Sequence, residues 1–162
     1  MQLDVLEGLP LFQDFTAEQL DLLRPIFIYC QEPCDTILFE QGEPADYLYL
    51  VIEGEVHILY KPYDGPELTL ARIGPNGVVG WSAALGSLSY SSSAVCATDC
   101  QMMCLRGRDL HNLCAEHPET GEIVLRRLAD IISERLRNTH PQVLAMLEQS
   151  LRLRVGESLI AG

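Results

Sequence analysis

The chain has 162 residues, 48% of them hydrophobic, which suits one compact domain with a core of its own and a helical appendage. Its formal charge of −12 repels polyanions and so argues against nucleic acid or an anionic membrane surface as a direct partner. The opening Met-Gln-Leu-Asp-Val-Leu-Glu-Gly lacks the basic residues and long apolar run of an export signal, which predicts a cytoplasmic protein.

Leu9 to Leu11 lead into Phe15-Thr16-Ala17-Glu18-Gln19, where Thr16 can cap a helix while Gln19 reaches back to it. Leu20, Leu22, Leu23 and Ile26 give that helix an apolar side. From Pro25 onward the pattern changes to short β-rich runs separated by turn residues. The predicted strands are Pro25–Cys30, Thr36–Glu40, Tyr47–Glu53, Glu55–Lys61, Glu67–Ile73, Ser92–Ala97 and Cys100–Leu105, a spacing that points to a sandwich or barrel. Asp64-Gly65 and Gly42-Glu43-Pro44 supply turn chemistry between them. Helical patterning returns at Asp109–Ala115 and after Pro118, where Val124, Leu125, Leu128, Ile131, Ile132 and Leu136 form a wide apolar stripe. Asn138-Thr139-His140-Pro141-Gln142 breaks that helix and caps a last amphipathic one through Val143, Leu144, Met146, Leu147, Leu151 and Leu153.

The most informative segment runs from Gly74 to Ser93. A Gly-rich approach, Gly74-Pro75-Asn76-Gly77-Val78-Val79-Gly80, precedes a short apolar stretch, Ser82 to Leu85, able to form one or two helical turns. Free backbone N–H groups at such a turn can hold a phosphate. Yet no Asp, Glu, Lys or Arg occurs between Arg72 and Asp99. The uncharged stretch is long enough to span a bilayer, but Pro75, Asn76 and six serines make it too polar, so no membrane span is expected.

Six cysteines, Cys30, Cys34, Cys96, Cys100, Cys104 and Cys114, are expected to be mostly reduced and buried or half-buried thiols. On a strand Cys30 and Cys34 would stand roughly 13 Å apart, too far for one metal. His111 and Cys114, three apart on a helix, are the best-spaced ligand pair, but two ligands do not make a site. No resident metal or cofactor is expected. Nor does any nucleophile have a His base at motif spacing, which argues against an enzyme.

The order of elements, with Glu40-Gln41-Gly42-Glu43-Pro44-Ala45-Asp46-Tyr47-Leu48-Tyr49-Leu50-Val51-Ile52-Glu53-Gly54-Glu55-Val56, the cassette Pro75-Asn76-Gly77-Val78-Val79-Gly80, and Cys100 to Leu105 followed by Arg106, resembles the cyclic nucleotide-binding domain family. That family includes the catabolite activator proteins and the regulatory subunits of cyclic-nucleotide-dependent kinases. The resemblance covers roughly residues 8 to 137. It implies a mainly β fold with α, a double-stranded β-helix or jelly-roll-like β-roll, flanked by an N-terminal helix and C-terminal helices. Residues 1–117 would form the β-roll with its N-terminal helix, and 118–162 a helical segment for dimerisation through Leu125, Leu128, Ile132 and Leu136. Members that act as transcription factors carry a helix-turn-helix domain after the long helix. The roughly twenty-five residues after Asn138 are too few for one, so no DNA-binding domain is expected.

In that family a Glu after the cassette glycine accepts the ribose 2′-hydroxyl, and an Arg some ten residues later grips the cyclic phosphate. Aligned without gaps, these positions fall on Trp81 and Ser91. Each such contact contributes about 1.5–3 kcal/mol, so losing both weakens binding by about two to four decades. The resemblance therefore implies a stand-alone regulatory or sensory module with a degenerate cassette, and three readings of it follow. Trp81 folds into the vacant pocket, and the module acts through a protein partner. Alternatively a less charged small ligand is held by Val79, Gly80, Trp81, Ser82, Ala83, Tyr90, Ser91, Ser92 and Ser93, with amides and hydroxyls donating and Trp81 or Tyr90 stacking. In the third reading a cyclic nucleotide binds weakly through amides and serines alone. Relatives of this fold that hold haem or iron–sulfur clusters through cysteine or histidine imply a further alternative, a cysteine-based redox or metal sensor in which Cys30, Cys34, His111 and Cys114 are the weak ligand candidates.

Overall fold

The computed structural model describes residues 6–81, 83 and 88–138, with side chains through Ile132. The last amphipathic helix, the Thr139 cap, Leu136's side chain, and Ser82 and Leu85 of the short apolar stretch lie outside the described residues.

The chain enters through a 3-10 turn, Pro10–Phe12, and a short helix α1, Ala17–Leu23. α1 begins where the sequence predicts. Thr16 Oγ1 accepts from the Gln19 amide at 3.1 Å, and Gln19 Oε1 accepts from the Thr16 amide at 2.9 Å. This reciprocal cap satisfies two donors that a helix start leaves without partners. Leu20 and Leu23 turn inward.

Eight strands follow: β1 Phe27–Glu32, β2 Ile37–Phe39, β3 Tyr47–Glu53, β4 Val56–Tyr60, β5 Leu68–Ile73, β6 Val78–Val79, β7 Ser93–Cys96 and β8 Cys100–Arg106. They form two antiparallel four-stranded sheets, β1-β8-β3-β6 and β2-β7-β4-β5. The sheets face each other as a jelly-roll-like β-roll. Their inner faces supply one core of Phe39, Val51, Val56, Ile58, Ile73, Val79, Tyr90, Ala94, Cys96, Cys100 and Met102.

Helices flank the roll. α2, Gly107–Glu116, follows β8 without a loop, and α3, Pro118–Asn138, starts after a single intervening residue. A second core lies between the outer face of the first sheet and these helices. It joins Leu48, Leu50, Met103 and Leu105 to Leu6, Leu11, Phe12, Leu23, Leu110, Val124 and Leu128. The first sheet is therefore covered on both faces, which is why Cys100–Arg106 reads as a nearly unbroken apolar run rather than an alternating one. The second sheet has one face on the roll core, and β4 keeps an alternating burial pattern with Val56 and Ile58 inside.

Seven strands fall where the sequence places them, within one or two residues at most ends. β6 is the addition. At two residues between Gly77 and Gly80 it has no periodicity to betray it, and it pairs with β3 through Tyr49↔Val79 and Leu50↔Val78.

The apolar stripe of α3 divides between two faces. Val124 and Leu128 are 0% and 3% exposed in the chain's own core, whereas Leu125 is 40% exposed. Arg127 donates to the Leu11 carbonyl at 3.0 Å and to that of Gln13, with its guanidinium 4.9 Å over the Phe15 ring. α3 is thus fastened to the entry segment. Leu128→Ala is expected to lower stability in urea unfolding by about 2–5 kcal/mol, as for a buried leucine, while Leu125→Ala changes it by under about 1 kcal/mol. Equal effects would show that the two faces are not distinct.

Candidate functional site

The approach to the cassette is built from β6 and ends at Gly80. Val79 is fully buried in the roll core. Gly80 has φ +80°, and a Cβ placed on it would lie 2.7 Å from the Tyr47 carbonyl oxygen and 3.2 Å from the Phe39 ring. Both the left-handed backbone and the space demand glycine here. The Ala83 amide donates to the Gly80 carbonyl at 3.1 Å, closing a turn. That turn rests on the start of α2, where a Cβ on Gly107 would meet the Ala83 carbonyl oxygen at 2.3 Å.

Tyr90 occupies the space beneath Gly80. Its ring is stacked on Phe39 with centroids 3.6 Å apart and planes 13° apart, and it is 5% exposed. Its hydroxyl donates to the Tyr47 carbonyl at 2.6 Å and accepts from the Tyr47 amide at 2.9 Å. The backbone is fastened as well: the Tyr90 amide donates to the Glu43 carbonyl, and the Gly42 amide donates to the Tyr90 carbonyl, both at 2.9 Å. Ala45 and Leu88 add a further bond at 3.2 Å. Burial raises the Tyr90 phenol above its ordinary value, so it remains a neutral donor throughout the neutral range.

The two aromatics singled out in the sequence separate. Tyr90 belongs to the roll core, whereas Trp81 is half-buried against the second core, on the helical side of the first sheet. A Trp81 ring filling the roll pocket is therefore not the arrangement found. The serines also separate. Ser91 is exposed, Ser92 is half-buried, and Ser93 Oγ accepts from the Gln41 amide at 2.8 Å. Gln41 in turn bonds the backbone of Lys61 twice, at 2.8 and 3.1 Å, so Ser93 pins the β2–β3 turn to the β4–β5 hairpin.

Sequence reasoning singled out neither Phe39 nor Arg106 as a site residue. Arg106, at the end of β8, donates from Nε to the Tyr47 hydroxyl at 3.1 Å, and its guanidinium lies 5.6 Å from that ring's centre. With Arg108, His111, Asp46 and Ala83 it lines a groove of about 490 Å³. The signal available was its position directly before Gly107, at the strand–helix junction against which the cassette turn packs.

The metal candidates do not converge. Cys30 stands on β1, Cys34 in the exposed turn after it, and His111 and Cys114 on α2. Cys114 packs closely on α3, where a Cβ on Gly121 would come within 2.6 Å of its Cα. Among the described residues no group of three or more His, Cys, Asp or Glu side chains is placed to hold a metal ion. No helix among them is long and apolar enough to cross a membrane.

The profile of the cyclic nucleotide-binding domain matches residues 32–117, more than half of the 162-residue chain. The chain belongs to the cyclic nucleotide-binding domain family. It is 30% identical to the cyclic AMP receptor protein of Thermus thermophilus over 155 residues, 96% of this chain and 70% of that protein. It is 29% identical over 123 residues to a CRP-like cAMP-activated global transcriptional regulator of Mycobacterium tuberculosis, covering 76% of this chain and 53% of the regulator. Among solved structures, a cyclic nucleotide-binding domain from Methylobacillus flagellatus superposes with a TM-score of 0.75 at 27% identity, over 89% of this chain and 81% of that one. The chain thus spans 70% of the Thermus protein and 53% of the Mycobacterium one.

Within the domain the Tyr90 clasp is the device that shapes the cassette. Tyr90→Phe keeps the stack but leaves the Tyr47 amide and carbonyl without their partner, and is expected to cost about 1–3 kcal/mol in urea unfolding. Stability equal to that of the unaltered chain would show that the clasp contributes nothing.

Proposed function

We propose that the chain is a regulatory module of the cyclic nucleotide-binding fold whose degenerate cassette takes a less charged small ligand, or none, and whose output passes through protein contacts. The observation that carries this reading is the Tyr90 ring stacked on Phe39 under Gly80, with its hydroxyl bound to Tyr47. A buried phenol whose polar atom is already satisfied adds apolar filling beneath the cassette amides. It supplies no charge to meet an anion. Trp81 and Ser91, at the positions of the family's Glu and Arg, supply none either. The Mycobacterium relative is named a global transcriptional regulator, which supports a regulatory role.

A second reading, weak cyclic nucleotide binding, is favoured by one observation. Gly80 keeps a left-handed backbone, and the related Thermus protein is named for cyclic AMP. Amides and serine hydroxyls alone would then hold the phosphate.

For assembly, the proposal is a homodimer through α3. Leu128 is turned into the chain's own core, so among the described side chains of the expected face the exposed Leu125 and the half-buried Ile132 are left to meet a second copy. The role assigned here requires no cofactor, membrane or direct nucleic-acid contact, and its setting is the cytoplasm.

Thermal shift separates the two readings, because a ligand selective for the folded state raises the melting temperature. Cyclic AMP and cyclic GMP at near-millimolar levels are expected to leave it unchanged, whereas a strong, saturable rise would establish the second reading. Sedimentation is expected to show a dimer that Leu125→Asp combined with Ile132→Asp converts to monomer. A purely monomeric unaltered chain removes the dimer.

A further inference from the structure

A groove of about 540 Å³ opens between the entry turn, the end of β5 with the turn that follows it, and Ile131 of α3. β5 and its turn contribute the small residues Ala71, Gly74 and Gly77, and the helical layer contributes Leu9, Pro10 and Ile131. The turn already satisfies its own backbone. The Asn76 amide donates to the Val51 carbonyl at 2.7 Å, the Val51 amide to the Gly77 carbonyl at 3.0 Å, and the Gly77 amide to the Gly74 carbonyl at 3.1 Å. Apolar side chains can therefore cover these groups without stranding any of them. Arg72 is exposed and is the one charged residue among the described residues that line the groove. Among the described residues no carboxylate lies within ion-pair distance of it.

The direction and length of the chain single out an occupant. α3 continues from Ile131 to Asn138, about 10 Å further at 1.5 Å per residue. Thr139-His140-Pro141-Gln142 follows, with the proline and the capping pattern of a helix stop and restart, and its length suits the short loops of about 2–5 residues that join antiparallel helices. Beyond it Leu144, Leu147 and Leu151 recur at helical spacing, in a stretch that lies outside the described residues. In such a hairpin, equal steps back from Asn138 and forward from Val143 bring Ser150 level with Ile131. Leu147 and Leu151 then stand on either side of the level of the groove. Glu148, between them, is the one acidic residue from Thr139 to Gly156, so its charge complements Arg72.

We propose that the segment Val143–Leu153 folds back beside α3 of its own chain and seats Leu147 and Leu151 in this groove, with Glu148 meeting Arg72. The charge pair fixes the seating, because a one-residue slip turns a helical side chain by about 100° and would carry Glu148 away from the cation. So seated, the segment joins the end of α3 to the Gly74–Gly77 turn, which leads through β6 to Gly80. The contact does not depend on what the cassette binds.

The deciding experiment uses the full chain with Leu151 replaced by the photoreactive p-benzoylphenylalanine, irradiated as an equal mixture of isotopically light and heavy protein and mapped by mass. The expected product links position 151 to a peptide containing residues 9–11 or 71–77, with both ends carrying the same isotope. Independently, Arg72→Glu is expected to lower the urea midpoint and Arg72→Glu combined with Glu148→Arg to restore it, as for two charges in contact. A groove link between light and heavy chains would place a second copy there instead. That result, a link outside the groove, no link, or a double exchange no more stable than Arg72→Glu alone overturns the proposal.

Discussion

The geometry of the cassette rests on one side chain, Tyr90, held from three directions. Phe39 supports one face of its ring, the Tyr47 peptide groups hold its hydroxyl, and Glu43 and Gly42 hold its backbone. Gly80 can lie on this assembly only because it has no Cβ and adopts φ +80°. The polar atom is satisfied, so burying the ring keeps the apolar gain of about 1.5–3 kcal/mol without the cost of an unmet donor. The ring thus shapes the turn at Gly80 through packing and two neutral hydrogen bonds.

The two cores explain what each stretch of sequence looks like. β8 lies between them, and Met102 and Met103 are both buried although they point to opposite faces, one to the roll and one to the helices. β4 has the roll on one side only, so its alternation survives. Arg127 makes the helical layer continuous with the entry segment by spanning from α3 to the carbonyls of Leu11 and Gln13.

Much of the fold was legible because its signals are local. The Thr16–Gln19 cap, the strand runs and Pro118 at the start of α3 each follow from neighbours a few residues apart. What was not legible depends on contacts distant in sequence. Val78–Val79 becomes a strand only because Tyr49 and Leu50 pair with it. That Tyr90 and not Trp81 enters the roll is decided by Phe39 and Tyr47, some forty to fifty residues away. Leu128 and Leu125 share one apolar stripe in the sequence, and only the packing of α3 on the entry segment tells the inward face from the outward one.

The close approaches at glycine bear on how a change at the cassette would reach the rest of the molecule. The Ala83 carbonyl lies against Gly107 with no room for a methyl group, and Gly121 of α3 lies as tightly on Cys114 of α2. Cassette turn, α2 and α3 are therefore stacked without slack, and close-packed interiors transmit displacement where a cavity would absorb it. Any shift of the turn, whether from a ligand under Gly80 or from movement of the Tyr90 clasp, has to be taken up by α2 or by loss of that packing. α2 in turn bears on the helix that carries Leu125 outward. The same contacts that fix the shape of the turn thus connect it mechanically to α3.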